Sequence, residues 1–235
     1  MTERFAIFYA PAQSDPLWDR AAQWLGRDAA SDSVLTGDIP GIDADRLRDL
    51  TVSARRYGFH ATLKPPMALA AGRSEAELRV ALAAFCDSRA PVPIGRLKLA
   101  LIDGFLALVP EQQTADLSAF AADCVIAFDG FRAPMSPEAR ARRLNAQLSA
   151  RQIELLDTYG YPYVLENFRF HMTLTDRLPT DDRAAVMGAA EDWFGPLLER
   201  SFVLDRVALF HESTPNAAFK RGDDVALGML VAADA

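Results

Sequence analysis

Arg56-Tyr57-Gly58-Phe59-His60-Ala61-Thr62-Leu63-Lys64 can be laid over Phe168-Arg169-Phe170-His171-Met172-Thr173-Leu174-Thr175. Phe59, His60, Thr62 and Leu63 coincide with Phe170, His171, Thr173 and Leu174, and Tyr57 meets Phe168. The two histidines stand 111 residues apart in a chain of 235, close to half its length. The echo continues downstream. Arg96, in Arg-Leu-Lys-Leu, follows His60 by 36 residues, and Arg206, in Arg-Val-Ala-Leu, follows His171 by 35. Self-similarity of this kind is read before any local signal, because it decides the architecture. Each half reads as strand, helix, then further strands. The expectation is an α+β chain of two pseudo-symmetric lobes. One His-x-Thr strand per lobe lines a central cleft. The lobes correspond to about 1–127 and 128–235 within one bilobal domain, 1–235.

Element by element, strands are predicted over 4–10, 57–63, 94–101, 105–109, 168–175, 202–210 and 224–231, with Asp103-Gly104 as a hairpin turn. Helices are predicted over 15–27, 74–89 (Ser74 and Glu77 forming a capping box), 114–128, 137–159 and 181–194. Residues 28–50 read as a long connection.

A strand alternates its side chains, so His60 and Thr62 share one face with Gly58 and Lys64, and His171 and Thr173 share one with Arg169 and Thr175. Tyr57, Phe59, Ala61 and Leu63 fall on the opposite, core face, as do Phe168, Phe170, Met172 and Leu174. Facing polar strips make a cleft of two imidazoles, three hydroxyls and two cations, which suits a phosphate. Two imidazoles with ordinary pKa near ~6.5 can serve as one base and one acid at neutral pH. Threonine hydroxyls can donate to non-bridging phosphate oxygens as charge builds there.

The rest of the composition narrows the function. Half of the residues are hydrophobic and 24% are charged, as in globular proteins. The net charge of −7 argues against a binder of long nucleic acid. The longest apolar run, 99–109, is interrupted by Asp103, too short for a membrane span. Met1 to Ala10 carries Glu3 and Arg4 before a brief apolar run, which fits no secretory leader, so a cytoplasmic location is expected. Cys86 and Cys124 lie in apolar stretches without metal-ligand spacing. Neither GxGxxG nor GxxxxGK[ST] occurs. His211, next to Glu212, lacks a threonine partner and is read as a surface or supporting residue. With three histidines, two of them assigned to proton transfer, no metal and no cofactor are expected. Arg132, Arg140, Arg142, Arg143 and Arg151 cluster with Glu138 as their only acid, either a solvated helix face or a phosphate clamp. From this cluster Arg140 and Arg143 join Lys64, Arg169 and Thr175 as candidate substrate-binding residues.

The paired motifs resemble the signatures of the two-histidine (2H) phosphoesterase superfamily, and the Tyr-Gly-Phe lead-in with Lys-Pro after the first motif resembles a bacterial branch associated with phosphonate-utilisation operons. The resemblance spans essentially the whole chain. It implies a two-lobed fold of facing antiparallel sheets with outer helices, one sheet per lobe, and metal-independent chemistry at cyclic or strained phosphodiesters, with His60, His171, Thr62 and Thr173 in the site. The leading expectation is a phosphodiesterase opening a small cyclic phosphate ester, such as a sugar cyclic phosphate of phosphonate metabolism. The alternatives are an RNA-end 2′,3′-cyclic phosphodiesterase and a non-catalytic phosphate-ligand binding module. The partner is a small-molecule phosphate ester. Oligomeric state, the choice of acid and base, and the ester bond cleaved are left open by the sequence.

Overall fold

The computed structural model describes residues 3–35 and 39–228. Its elements run β1 (Arg4–Tyr9), α1 (Pro16–Leu25), α2 (Ala44–Asp49), α3 (Val52–Tyr57), β2 (Ala61–Met67), α4 (Glu75–Asp87), β3 (Val92–Ile102), β4 (Phe105–Pro110), α5 (Ala115–Ala127), α6 (Pro137–Leu144), α7 (Ala150–Tyr159), β5 (Met172–Arg177), α8 (Arg183–Leu198), β6 (Ser201–Leu204), β7 (Arg206–Glu212) and β8 (Lys220–Ala226). All strand pairings are antiparallel, in the order β6-β3-β4-β5-β2-β1-β7-β8. The class is α+β, as expected.

That order is symmetric about its centre. The motif strands β5 and β2 are innermost, then β4 and β1, then β3 and β7, with β6 and β8 at the edges. The two expected sheets are therefore joined edge to edge, through a single registered pair, Ala61 with Met172. Strands from both sequence halves enter each half of the sheet. After β2 and α4 the chain crosses to place β3 beside β6, and after β5, α8 and β6 it crosses back to place β7 beside β1.

Local chemistry explains most boundaries. Asp15 accepts the Leu17 amide at 2.8 Å to start α1, and Gly26 at φ 69° ends it. The Ser74–Glu77 capping box opens α4. Trp24, buried in α1, donates Nε1–H to the Leu174 carbonyl at 3.0 Å and fixes α1 against β5. The core residues Phe59, Ala61, Leu63, Phe170, Met172 and Leu174 are all buried, as their alternation requires.

Several expectations change. The strand expected from Tyr57 begins at Ala61, because Val52–Tyr57 forms α3. This short helix is anchored to the other repeat, since the Asp176 carboxylate accepts the amides of Ser53 (2.8 Å) and Ala54 (2.9 Å). The expected connection at 28–50 contains α2. The helix expected over 137–159 is interrupted after Leu144 and restarts at Ser149, which caps α7 in a second capping box with Gln152. The strand expected over 202–210 is divided at Asp205 into β6 and β7. The last strand is β8, and positions 229–231 of the expected one lie outside the described residues.

Two irregularities bear on the site. The β1–β2 register shifts between Phe8–Thr62 and Ile7–Lys64, and the β4–β5 register shifts between Ala107–Thr173 and Phe105–Arg177. Such bulges turn the following side chain to the other face. Lys64 is consequently fully buried under α5, donating to the Val125 carbonyl at 3.0 Å and pairing with Asp129 at 2.9 Å. Thr175 is also buried, its Oγ1 accepting the Leu106 amide at 2.9 Å.

Lys64→Ala should therefore act on stability. It opens a void beneath α5 and leaves Asp129 to Arg132 alone, which should cost about 2–4 kcal/mol. Denaturant unfolding checks this; an unchanged midpoint would contradict the buried placement.

Candidate active site

With Ala61 opposite Met172, an antiparallel register carried one residue to either side sets Thr173 across from His60 and His171 across from Thr62. Directly opposed residues have Cβ atoms about 5 Å apart. The buried pair faces the core while the four polar residues share the other face, each partly exposed. One pair of strands thus presents both motifs as a diagonal quartet.

Both imidazoles are held the same way. His60 Nδ1 lies 2.9 Å from the Gly58 carbonyl, and His171 Nδ1 lies 2.7 Å from the Arg169 carbonyl. A carbonyl only accepts, so Nδ1 carries the hydrogen in each ring and Nε2 is the atom left for chemistry. His60 Nε2 is 3.2 Å from Thr62 Oγ1, whose hydroxyl donates to the neutral ring. The His60 ring stacks on Phe8 with centroids 3.7 Å apart, and His171 lies 5.6 Å from Phe105. Gly58 makes the first clamp possible. Its φ is 76°, and a Cβ there would come within 2.5 Å of the Ala29 Cβ, so no other residue fits without displacement.

Burial sets the protonation. Desolvation, against the opposing Gly58 carbonyl and with a smaller push from the neighbouring His171, lowers the pKa of His60 to about 4. Desolvation also lowers that of His171, against the Arg169 carbonyl. Without ligand both rings are neutral at pH 7. One protonated ring was the expectation from ordinary histidine pKa values; burial holds both rings neutral instead.

Two adjoining cavities share this wall. One, of about 440 Å³, is lined by His60, Thr62 and Thr173 together with Arg4, Tyr57 and Arg143. The other, of about 590 Å³, is lined by His171, Thr62, Arg169 and Tyr163. Tyr161, Phe105 and Arg177 belong to both.

The candidate binding residues divide. Arg169 and Arg143 line the cavities. Lys64 does not face them, because the bulge buries it with Asp129. Thr175 lines the first cavity, its Oγ1 accepting the Leu106 amide. Arg140 turns away and pairs with Asp157 at 2.6 Å. Tyr57, assigned to the core on strand alternation, lines the first cavity, since it ends α3 and stacks on Phe219 at 4.9 Å. Arg177 was not singled out. It lies beyond the β4–β5 register shift, past the range in which alternation from Thr173 could identify it. His211 stays outside, 2.9 Å from Glu3. Among the described residues no three His, Cys, Asp or Glu side chains gather as a metal set.

A family described as "Protein of unknown function (DUF1045)" matches residues 62–220. Two curated relatives are each called "Ribose 1,5-bisphosphate phosphokinase PhnN". The protein from Janthinobacterium sp. (strain Marseille) is 37% identical, with 92% of this chain aligned to 49% of its length. The protein from Laribacter hongkongensis (strain HLHK9) is 35% identical, with 92% aligned to 50%. The chain thus spans about half the length of the curated relatives it matches. Similar solved structures include LigT of E. coli complexed with 3′-AMP (13% identity, TM-score 0.41, 97% of this chain and 100% of that one). Usb1 of Kluyveromyces marxianus is another (12% identity, TM-score 0.38, 96% and 98%).

The neutral, buried histidine has a consequence for stability. The unfolded chain binds a proton at His60 below about pH 6.5, while the folded one does so only near pH 4, so stability rises with pH across that window. Urea midpoints for the native protein should fall between pH 7 and pH 5, and the fall should shrink in His60→Asn. Equal pH slopes in both proteins would refute the buried neutral ring.

Proposed function

We propose that this chain, which belongs to the DUF1045 family, is a phosphodiesterase that opens a small cyclic phosphate ester by two-histidine acid–base catalysis. The observation that carries the reading is the matched pair of Nδ1–carbonyl clamps, which leaves two Nε2 atoms on one face beside two threonine hydroxyls. One Nε2 takes the proton of the attacking water as its oxygen bonds to phosphorus. The other, protonated when the anionic ester enters, gives its proton to the leaving oxygen as the P–O ring bond breaks. Each transfer contributes about 10²–10⁴-fold. Thr173, and Thr62 once its hydroxyl turns from His60 Nε2, donate to the non-bridging oxygens, where charge accumulates in the transition state. Cationic stabilisation comes from Arg177 and Arg169, taking the place once given to Lys64.

The relatives' name points to the substrate. It describes a kinase of ribose 1,5-bisphosphate, whereas this chain carries no GxxxxGK[ST] phosphate loop and corresponds to only half of such a protein. A diesterase that opened a ribose 1,2-cyclic phosphate at the bond to O2 would leave the phosphate on C1, as in the compound so named. A sugar cyclic phosphate is therefore preferred to an RNA end, in keeping with the charge of −7.

Turnover of ribose 1,2-cyclic phosphates, followed by phosphorus NMR, is the direct assay. His60→Ala and His171→Ala should each reduce kcat by about 10²–10⁴, and the double variant should lose less than tenfold more, because groups acting as a unit are not additive. Near-native turnover in either single variant would end the pairing. Because both free imidazoles titrate below their ordinary value, kcat/KM should peak below pH 6.5. A peak above pH 7.5 would contradict this order of protonation. Activity should survive prolonged chelation; loss with recovery on adding zinc or manganese would require a metal mechanism.

A further inference from the structure

The two ends of the cleft differ in charge. At the His60 end the lining includes Arg4, Arg143 and Arg177, and its one carboxylate, Asp176, has its oxygens occupied by the amides of Ser53 and Ala54. At the His171 end the lining has Arg169 and Arg177 with Asp103 and Glu166, and Glu166 is already paired with Arg151. The His60 end is thus lined by three arginines to one carboxylate, against two and two at the His171 end.

Two of those cations are also free to bind: among the described residues Arg143 and Arg177 pair with no carboxylate, while Arg140 on α6 and Arg151 on α7 pair with Asp157 and Glu166. Arg143 reaches the cavity from α6, a helix with no buried residue, its guanidinium 5.2 Å from the Tyr161 ring. Arg4 is held by Glu212 through Nε and sits over Phe219 at 5.6 Å, so its position is fixed before any ligand arrives. Tyr57 stacks on Phe219 with Arg56 4.5 Å from its ring, and lines the same wall. An arginine fork with spare donors beside a fixed arginine and a phenol is the donor set that a phosphomonoester dianion requires.

We infer that the cleft takes a substrate with two anionic groups: the cyclic diester between the histidines, with Arg177 beside it, and a phosphomonoester at the His60 end held by Arg143 and Arg4 with Tyr57. The inference rests on the proposed hydrolysis only for the diester; the monoester site stands on charge and geometry. It fixes the direction in which a sugar lies in the cleft, its phosphorylated arm pointing past His60.

Calorimetric binding of D-ribose 5-phosphate, which has no diester to cleave, tests the second site by itself. Arg143→Gln should weaken binding by about 10–100-fold, as expected for losing charge-assisted bonds to phosphate. Arg169→Gln should weaken it at least tenfold less than that, and Arg142→Gln, a neighbouring control of equal charge change, by less than twofold. Tyr57→Phe should cost a smaller, measurable factor. In kinetics, the preference in kcat/KM for ribose 1,2-cyclic phosphate bearing a 5-phosphate over the same compound without it should be about 10–100-fold and collapse toward unity in Arg143→Gln. If ribose 5-phosphate binds through Arg143 but no cyclic ester is opened, the site stands and the hydrolase reading falls. Failure of ribose 5-phosphate to bind, or equal effects of the Arg143 and Arg169 substitutions, overturns the site.

Discussion

Two half-sheets meet at one residue pair, Ala61 with Met172, and the candidate site depends on that meeting. An antiparallel pair with its core-facing residues buried leaves the flanking positions on the opposite face. At this pair the flanking positions are His60, Thr62, His171 and Thr173. Away from it β2 continues against β1 and β5 against β4, so the sheet opens on either side. The bulge that follows Thr62 withdraws Lys64 from that face, while Thr175 stays at the wall of the first cavity with its oxygen on the Leu106 amide. The basic groups near the two motifs are Arg169 and Arg177, which flank the second one, and Arg143 from α6.

The second constraint is electrostatic. Buried imidazoles clamped at Nδ1 are kept in one tautomer and neutral, so the free cleft holds no catalytic positive charge of its own. Positive potential comes from Arg143, Arg169 and Arg177, which no carboxylate among the described residues neutralises. In the proposed reaction an arriving phosphate ester would meet these cations first and raise the affinity of the imidazoles for a proton by its own charge. Binding and preparation of the general acid would then be one event. The same logic explains why the buried Lys64–Asp129 pair stays apart from the chemistry: its charges are spent on each other and on the Val125 carbonyl.

Much of this was legible in the sequence. The repeat exposed the two motif strands, the alternation of Phe59, Ala61 and Leu63 against His60 and Thr62 gave their faces, and Ser74 with Glu77 marked α4. What failed, failed where alternation was extended past its range. Lys64 was placed in the cleft because a bulge, set by register with a distant strand, leaves no local mark. Tyr57 was placed in the core because α3 was not recognised; its cap is Asp176, 123 residues beyond Ser53. The break between α6 and α7 was readable in Ser149 and Gln152 but lay inside a run of good helix formers. The crossing of strands between half-sheets follows from long-range pairing, which neither motif nor period encodes.

The central claim is that two imidazoles, alike in tautomer, share one phosphate and differ in protonation once it binds. Nitrogen-15 NMR of histidine-labelled protein at pH 7 reads this directly. Without ligand, His60 and His171 should both show Nδ1–H neutral rings; on addition of vanadate as a phosphorane mimic, one ring should become doubly protonated and the other stay neutral. An Nε2–H ring in the free protein, or two rings that respond identically to the anion, would contradict the account.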